Sequence, residues 1–320
     1  MISDLSNLST NQQAMTDQEG SIQSLAQIWA KKYVGKLKVE SGEQSPDQRS
    51  IEEIASKVGR TQTANQLLES LRYASAQAWA KTETLLAKQV KLHDIKPELI
   101  DPWQIADDSR LLFEKSLAVY TEQHAMRSVE LSSITNPDTA TITTALPTPG
   151  QLSVAIAKDV GNMRHKYTAT NPLVLGFVSM QFHHSGQLLL DLLSPAEKAL
   201  VGSYFKVIDD HLYMPLQRSY EAAAKHEFDS PQLKAVRSLL PISSEIALQI
   251  CDRVGESYPT YQCHTGALTD PAVLISSIRD VEMFQTYLCL CVLVFCQSWV
   301  CELRERWINY TYVIRAVYYA

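Results

Sequence analysis

The feature that most narrows what this chain can fold into is a helical rhythm running through its first half. From Ile22 to Val39, and again from Ser50 to His93, apolar residues return every three or four positions, as at Leu67, Leu71, Ala74 and Ala78 and then at Leu85 with Leu86. That spacing puts them on one face of a helix, and the alanine and leucine that fill it favour helix intrinsically. Lys96-Pro97 and Asp101-Pro102 break the pattern, after which Ile105 to Leu131 reads as another helix carrying Leu111, Leu112, Leu117 and Val119.

Ser132–Gly150 reads as a linker, since Asn136-Pro137, a threonine-rich run and Pro147-Thr148-Pro149-Gly150 neither sustain helix nor offer much to bury. Helical patterns resume over Leu152–Tyr167 and Val174–Leu193. Ser194-Pro195-Ala196-Glu197 then supplies the serine cap, first-turn proline and following acid that begin a helix. Further helices are expected over Leu216–Lys225, Gln232–Leu240, Ser243–Tyr258 and Ala272–Val300, with no strand pattern of comparable strength and no internal repeat. The expectation is an all-α protein: a disordered polar start over residues 1–20, an N-terminal helical region over 21–131, a linker over 132–150 and a second helical domain over 151–320.

Length and charge exclude several classes of function. At 320 residues and 45% apolar, the chain can bury one large core or two modest ones. A net charge of −6 argues against a nucleic-acid footprint. The six cysteines, at 251, 263, 289, 291, 296 and 301, suit free thiols in a reducing cytoplasm. Cys289-x-Cys291 lacks the two-residue spacer of redox and zinc motifs, and no second ligand pair follows at a zinc-like distance. Tyr287–Val300 is a fourteen-residue apolar stretch interrupted by Gln297 and Ser298, short of the ~20 a bilayer span needs. A core helix is expected there, with at most peripheral membrane contact through the aromatic tail of Trp299, Trp307, Tyr310, Tyr312, Tyr318 and Tyr319. No nucleophile elbow, phosphate-binding loop or H-E-x-x-H is present, so catalysis has no motif behind it. Asp209-Asp210 reads as an acid pair at a helix edge rather than a metal site. Cys263 beside His264 suggests a reactive thiol only if their side chains meet.

Three landmarks carry a resemblance. Asp209-Asp210-His211-Leu212-Tyr213-Met214, the Tyr258-Pro259 loop with Gly266, and the helix Ser276-Ser277-Ile278-Arg279-Asp280-Val281-Glu282-Met283-Phe284-Gln285-Thr286-Tyr287 are similar, in that order, to the opening, loop and pigment helix of phycobiliproteins of the phycocyanin and allophycocyanin type. The spacings, 46 residues from Tyr213 to Pro259 and 20 from Pro259 to Arg279, align with that family without a gap, so the resemblance covers Asp209–Leu293.

The resemblance implies a globin-like helical domain in the second half and pigment-pocket roles for Arg279, Asp280 and Tyr287: the aspartate accepts from pyrrole nitrogens and the arginine pairs with a propionate. The family's attachment cysteine falls at Ser277, whose hydroxyl is no comparable nucleophile. Ala272 and Val273 stand where the family often has basic residues. No covalent bilin is therefore expected, noncovalent bilin stays open, and no metal is expected. After Leu293 the family's continuation is replaced by the aromatic tail, so an apolar face needs cover from the tail, the N-terminal helices or another protein. The implied role is a component of antenna assembly, scaffolding or regulation. It would be a non-enzyme partnered by phycobilisome or other photosynthetic proteins, homo- or hetero-oligomeric, and cytoplasmic at the thylakoid face. The rivals are a noncovalent bilin or haem carrier or sensor, and a bilin attachment factor. For haem, His183, His184, His211, His226 and His264 are available, and none sits at a position derivable as proximal.

Overall fold

The structure, a computed structural model, describes residues 19–30, 33, 37–39, 48–92, 94–133, 139–263 and 266–294. The expectation of disorder over 1–20 falls outside them apart from Glu19 and Gly20, which are helical. The aromatic tail and His264 also lie outside them.

Helix dominates. Residues 19–30 form α1, whose Leu25, Ala26, Trp29 and Ala30 are buried. A short helix α2 (Gln48–Ala55) runs into α3 (Lys57–Leu92) through Ser56, whose hydroxyl donates to Glu53 O at 2.6 Å and accepts from Gly59 N at 3.1 Å. The two helices meet so closely that a Cβ at Gly59 would collide with Glu53 O. Along α3, Ala64, Leu67, Leu71, Ala74 and Ala78 are buried at the three-and-four spacing seen in the sequence. This stripe packs on α4 (Pro102–Thr121) and α6 (Val174–Leu190). Between α3 and α6 the buried Gln181 amide donates to Ser75 O at 2.8 Å and its oxygen accepts from Thr82 Oγ1 at 3.2 Å, so a polar side chain in the interface is satisfied.

The helix expected to run to Leu131 ends at Thr121, capped at its start by Asp101 accepting from Trp103 N and Gln104 N. Beyond it the chain turns to sheet. β1 (Leu37–Val39) pairs parallel with β2 (Arg127–Ser133), which pairs antiparallel with β3 (Thr139–Thr144) in the register Val129↔Ile142. The segment read as a linker thus carries a strand. Threonine counts as polar in a hydropathy pattern, yet its branched Cβ suits extended backbone. The segment is also anchored: Ile142 is fully buried, Thr144 Oγ1 donates to Ala55 O at 3.1 Å, and Tyr204 OH donates to Pro147 O at 2.5 Å. Pro147-Thr148-Pro149 marks a helix start, with Thr148 and Gln151 forming a capping box on α5 (Pro149–Thr170).

The second half continues with α7 (Pro195–Tyr213), capped by Ser194 and Glu197 as the sequence implies, then α8 (Leu216–Ala223), α9 (Pro231–Leu239), α10 (Ser243–Ser257) and α11 (Pro271–Val294). The loop before α11 contains a small ribbon, Gln262–Cys263 against Gly266–Ala267. The two halves share one apolar core running from Leu25 to Leu293. At its centre Phe113 of α4 stacks on Phe182 of α6 at 4.1 Å and meets Phe205 of α7 edge-on at 4.8 Å. Segment 132–150 therefore does not separate two cores. Among the described residues no helix is long and apolar enough to cross a membrane, and the described part of the apolar stretch, Tyr287–Val294, buries Cys289, Leu290 and Leu293 as a core helix would.

If the strand segment is part of this core, Ile142→Ala lowers the stability of the whole chain by about 2–5 kcal/mol, the usual cost of emptying a fully buried isoleucine site. Urea denaturation should then show one shifted transition in both far-UV circular dichroism and tryptophan fluorescence. A loss confined to part of the signal would mean the segment folds apart from the rest.

Candidate functional site

The chemistry of the chain concentrates at the C-terminal end of α7. Its apolar residues Val207, Ile208 and Leu212 face the core, and the same turns carry Asp209, Asp210, His211 and Tyr213 into the interior, with Asp209 5% exposed and Asp210 1%. Buried carboxylates need compensating partners, and here they come from α11, from α6, from Tyr33 and from α7 itself. Arg279 of α11 places Nη2 3.0 Å from Asp209 Oδ2 and 3.4 Å from Asp210 Oδ1, with its guanidinium carbon 3.8 Å above the centre of the Tyr213 ring. Lys206, one turn earlier on α7, lies 3.0 Å from Asp210 Oδ1. His183 Nδ1 of α6 is 3.6 Å from Asp209 Oδ2, and the Tyr33 hydroxyl, beyond α1, donates to Asp210.

These contacts set the titration. Burial pushes the Asp209 carboxyl up, but Arg279, the neighbouring His183 and the Lys206 charge together outweigh it and hold the pKa at about 2. Burial, and then the charge of Asp210, raises the Tyr33 phenol well above its ordinary value. Next to the acids His211 is enclosed, its Nε2 2.6 Å from Ser153 Oγ, which is itself 2.5 Å from Tyr220 OH. Burial holds His211 neutral down to about pH 3 despite the nearby Asp210 charge. A base that weak, in a site closed to water, is suited to structure and not to proton abstraction.

The residues expected to line a pigment pocket take up different directions. Arg279 points to α7. Tyr287, two turns further along α11, has its hydroxyl 3.4 Å from Arg164 Nη2, and Arg164 also donates to Leu212 O. Asp280 lies half-buried toward α10, where its charge, after burial and Asp252, raises the Cys251 thiol. Ser277 is half-buried on the same helix. The sequence landmarks Asp209-Asp210 and Arg279 meet in space, a pairing that reading them singly does not give. The apolar neighbours of the acid pair were the available signal, because acids embedded in a core stripe must find a cation.

Where α1 crosses α8, α9 and α11, a crevice of about 10 Å³ lies between Leu25 and Trp29 on one side and Leu216, Tyr220, Val236 and Leu293 on the other. That holds about one water and no tetrapyrrole. The N-terminal helix thus covers an apolar face formed by α8, α9 and α11. Among the described residues no group of three or more His, Cys, Asp or Glu side chains is placed to hold a metal, and Cys251, Cys289 and Cys291 are free thiols, with burial lifting Cys289 to about 11. No protein-family model, no curated protein and no solved structure matches the chain.

Removing Arg279 leaves two interior carboxylates without their main cation, so Arg279→Ala should cost about 3–5 kcal/mol in urea denaturation. Lys206→Ala, at a side chain 47% exposed, should cost under about 1 kcal/mol. Stability should also fall with acid. Unfolded, His211 protonates near pH ~6.5, whereas folded it stays neutral to about 3. The unfolded chain therefore binds the extra proton across that window, and stability drops as pH descends through it. Below pH ~4 Asp209 adds a loss of the same sign, since its carboxyl stays charged to about 2 only when folded. Denaturation midpoints unchanged between pH 7 and 4 would contradict this.

Proposed function

We propose that this chain is a pigment-free helical scaffold related to the antenna proteins, acting in the assembly, support or regulation of phycobilisomes and not as an enzyme. The observation that carries the reading is the engagement of Arg279. The guanidinium that the resemblance assigns to a bilin propionate lies 3.0 Å from Asp209 and over the Tyr213 ring, joining α11 to α7. A propionate would have to displace a buried carboxylate to reach it. Ser277, in place of the tethering thiol, supports the same reading, because a serine hydroxyl carries almost no anion near neutral pH. With both attachment and charge recognition redirected, what remains is a helical body of the kind that associates through its faces. The globin-like arrangement of the second half and a place at the cytoplasmic face of the thylakoid belong to this reading through the resemblance.

Isolation from the native host in a buffer that preserves phycobilisomes should bring the chain down with antenna or thylakoid proteins and without colour of its own. Titration of the purified chain with phycocyanobilin, biliverdin or haem should give no saturable red-shifted band, and incubation with bilin and apo-phycocyanin no pigment transfer. A saturable band lost in Arg279→Ala would make the chain a carrier instead. Pigment transfer would make it an attachment factor, and absence from every antenna and thylakoid fraction would remove the scaffold reading.

A further inference from the structure

α10 is held to the body along one side. Every residue of the helix is described, and Ala247 is its one buried side chain. Ser244 and Cys251 share that side at helical spacing, and the Ser244 hydroxyl donates to Glu282 of α11. Beside this face runs an apolar row with a constant step of four: Ile246, Ile250 and Val254 in the helix, Ile242 just before it and Tyr258 just after. Ile246 is half-buried, whereas Ile242 is 47% exposed, Ile250 42%, Val254 41% and Tyr258 61%. Scattered apolar side chains on a surface are ordinary, but a continuous row of them marks a contact. The row next to it holds Glu245, Gln249 and Arg253, all exposed, and the Gln249 amide donates to Glu245 at 3.2 Å.

We propose that this face of α10 is a homodimer contact, in which the α10 of a second copy docks antiparallel about Ile250. The proposal does not depend on the antenna reading. Two features of the face select a second copy as its occupant. The apolar row is the same read in either direction from Ile250, so antiparallel pairing sets Ile250 against Ile250, Ile246 against Val254 and Ile242 against Tyr258. A row of step four is also the ridge that interdigitates in the commonest class of helix crossing. The charged row is its own complement. Glu245 and Arg253 stand one step to either side of Gln249, so reversing the partner brings the acid of each copy level with the arginine of the other, twice by symmetry. An unrelated helix has no reason to carry that order, whereas every copy of this chain carries it. The contact uses one patch on both partners and therefore closes at two copies.

Sedimentation velocity of the full chain at low salt should show a monomer–dimer equilibrium. Ile250→Glu sets two carboxylates against each other at the centre of the contact and should weaken the dimer at least about tenfold, with helical circular dichroism unchanged. The charged row gives a second readout that needs no apolar change. Glu245→Arg and Arg253→Glu each place like charges opposite one another, so each variant alone should dimerise about three- to tenfold more weakly than the wild type. Combining both substitutions in one chain should restore the dimer. Mixing the two single variants should give mixed dimers in preference to either self-pair by native mass spectrometry, since each supplies the charge the other lacks. A chain that stays monomeric at every concentration reached, a dimer that tolerates Ile250→Glu, or single charge variants that pair with themselves as readily as with each other would overturn the proposal.

Discussion

Two carboxylates in the interior of a helical core set the terms for the rest of this molecule. Asp209 and Asp210 lie in α7 among residues that pack toward the centre, and neither could stay charged there without cations and donors close by. Arg279 answers from α11, His183 from α6, Lys206 from α7 itself and Tyr33 from beyond α1. Each tie fixes the position of a helix that apolar packing alone would allow to slide, because apolar contact is non-directional whereas a guanidinium between two carboxylates is not. Such clusters often add little net stability compared with a well-packed apolar substitute, but they penalise every arrangement that separates their members.

The same geometry shapes what the chain can do. An arginine held between two buried acids and above a tyrosine ring is committed to α7, and His211 is enclosed by Ser153, Tyr220 and Trp29 where a reactive imidazole would need an open side. Asp209, Asp210, His211 and Arg279 are thus turned inward, where they tie helices together. The N-terminal helix in turn covers one apolar face of that body, with Leu25 and Trp29 over α8, α9 and α11.

Much of the helical layout was legible because it is local. The stripe from Leu67 to Ala78 and the Ser194 cap with Pro195 and Glu197 announce themselves within a few residues, whereas Asp101-Pro102, which reads as a break, turns out to cap the start of α4. What escaped the sequence is nonlocal or ambiguous in hydropathy. Thr139–Thr144 reads as polar loop and pairs as a strand, because its partner at Arg127–Ser133 and the wall provided by Ala55 cannot be seen from the threonines themselves. The Arg279 partnership spans seventy residues, and nothing near either end names the other. The resemblance drew attention to Arg279 singly, and its contact with Asp209 and Asp210 appears only once the helices are placed.

The most direct test is a double-mutant cycle between Asp209→Asn and Arg279→Met, read as unfolding free energies in urea at pH 7. If the two side chains hold α7 to α11 as one unit, the double variant should be more stable than the sum of the single losses implies, by a coupling of about 1–3 kcal/mol. Losses that add to within about 0.5 kcal/mol would mean that the aspartate and the arginine act independently, and that the helices are positioned by something else.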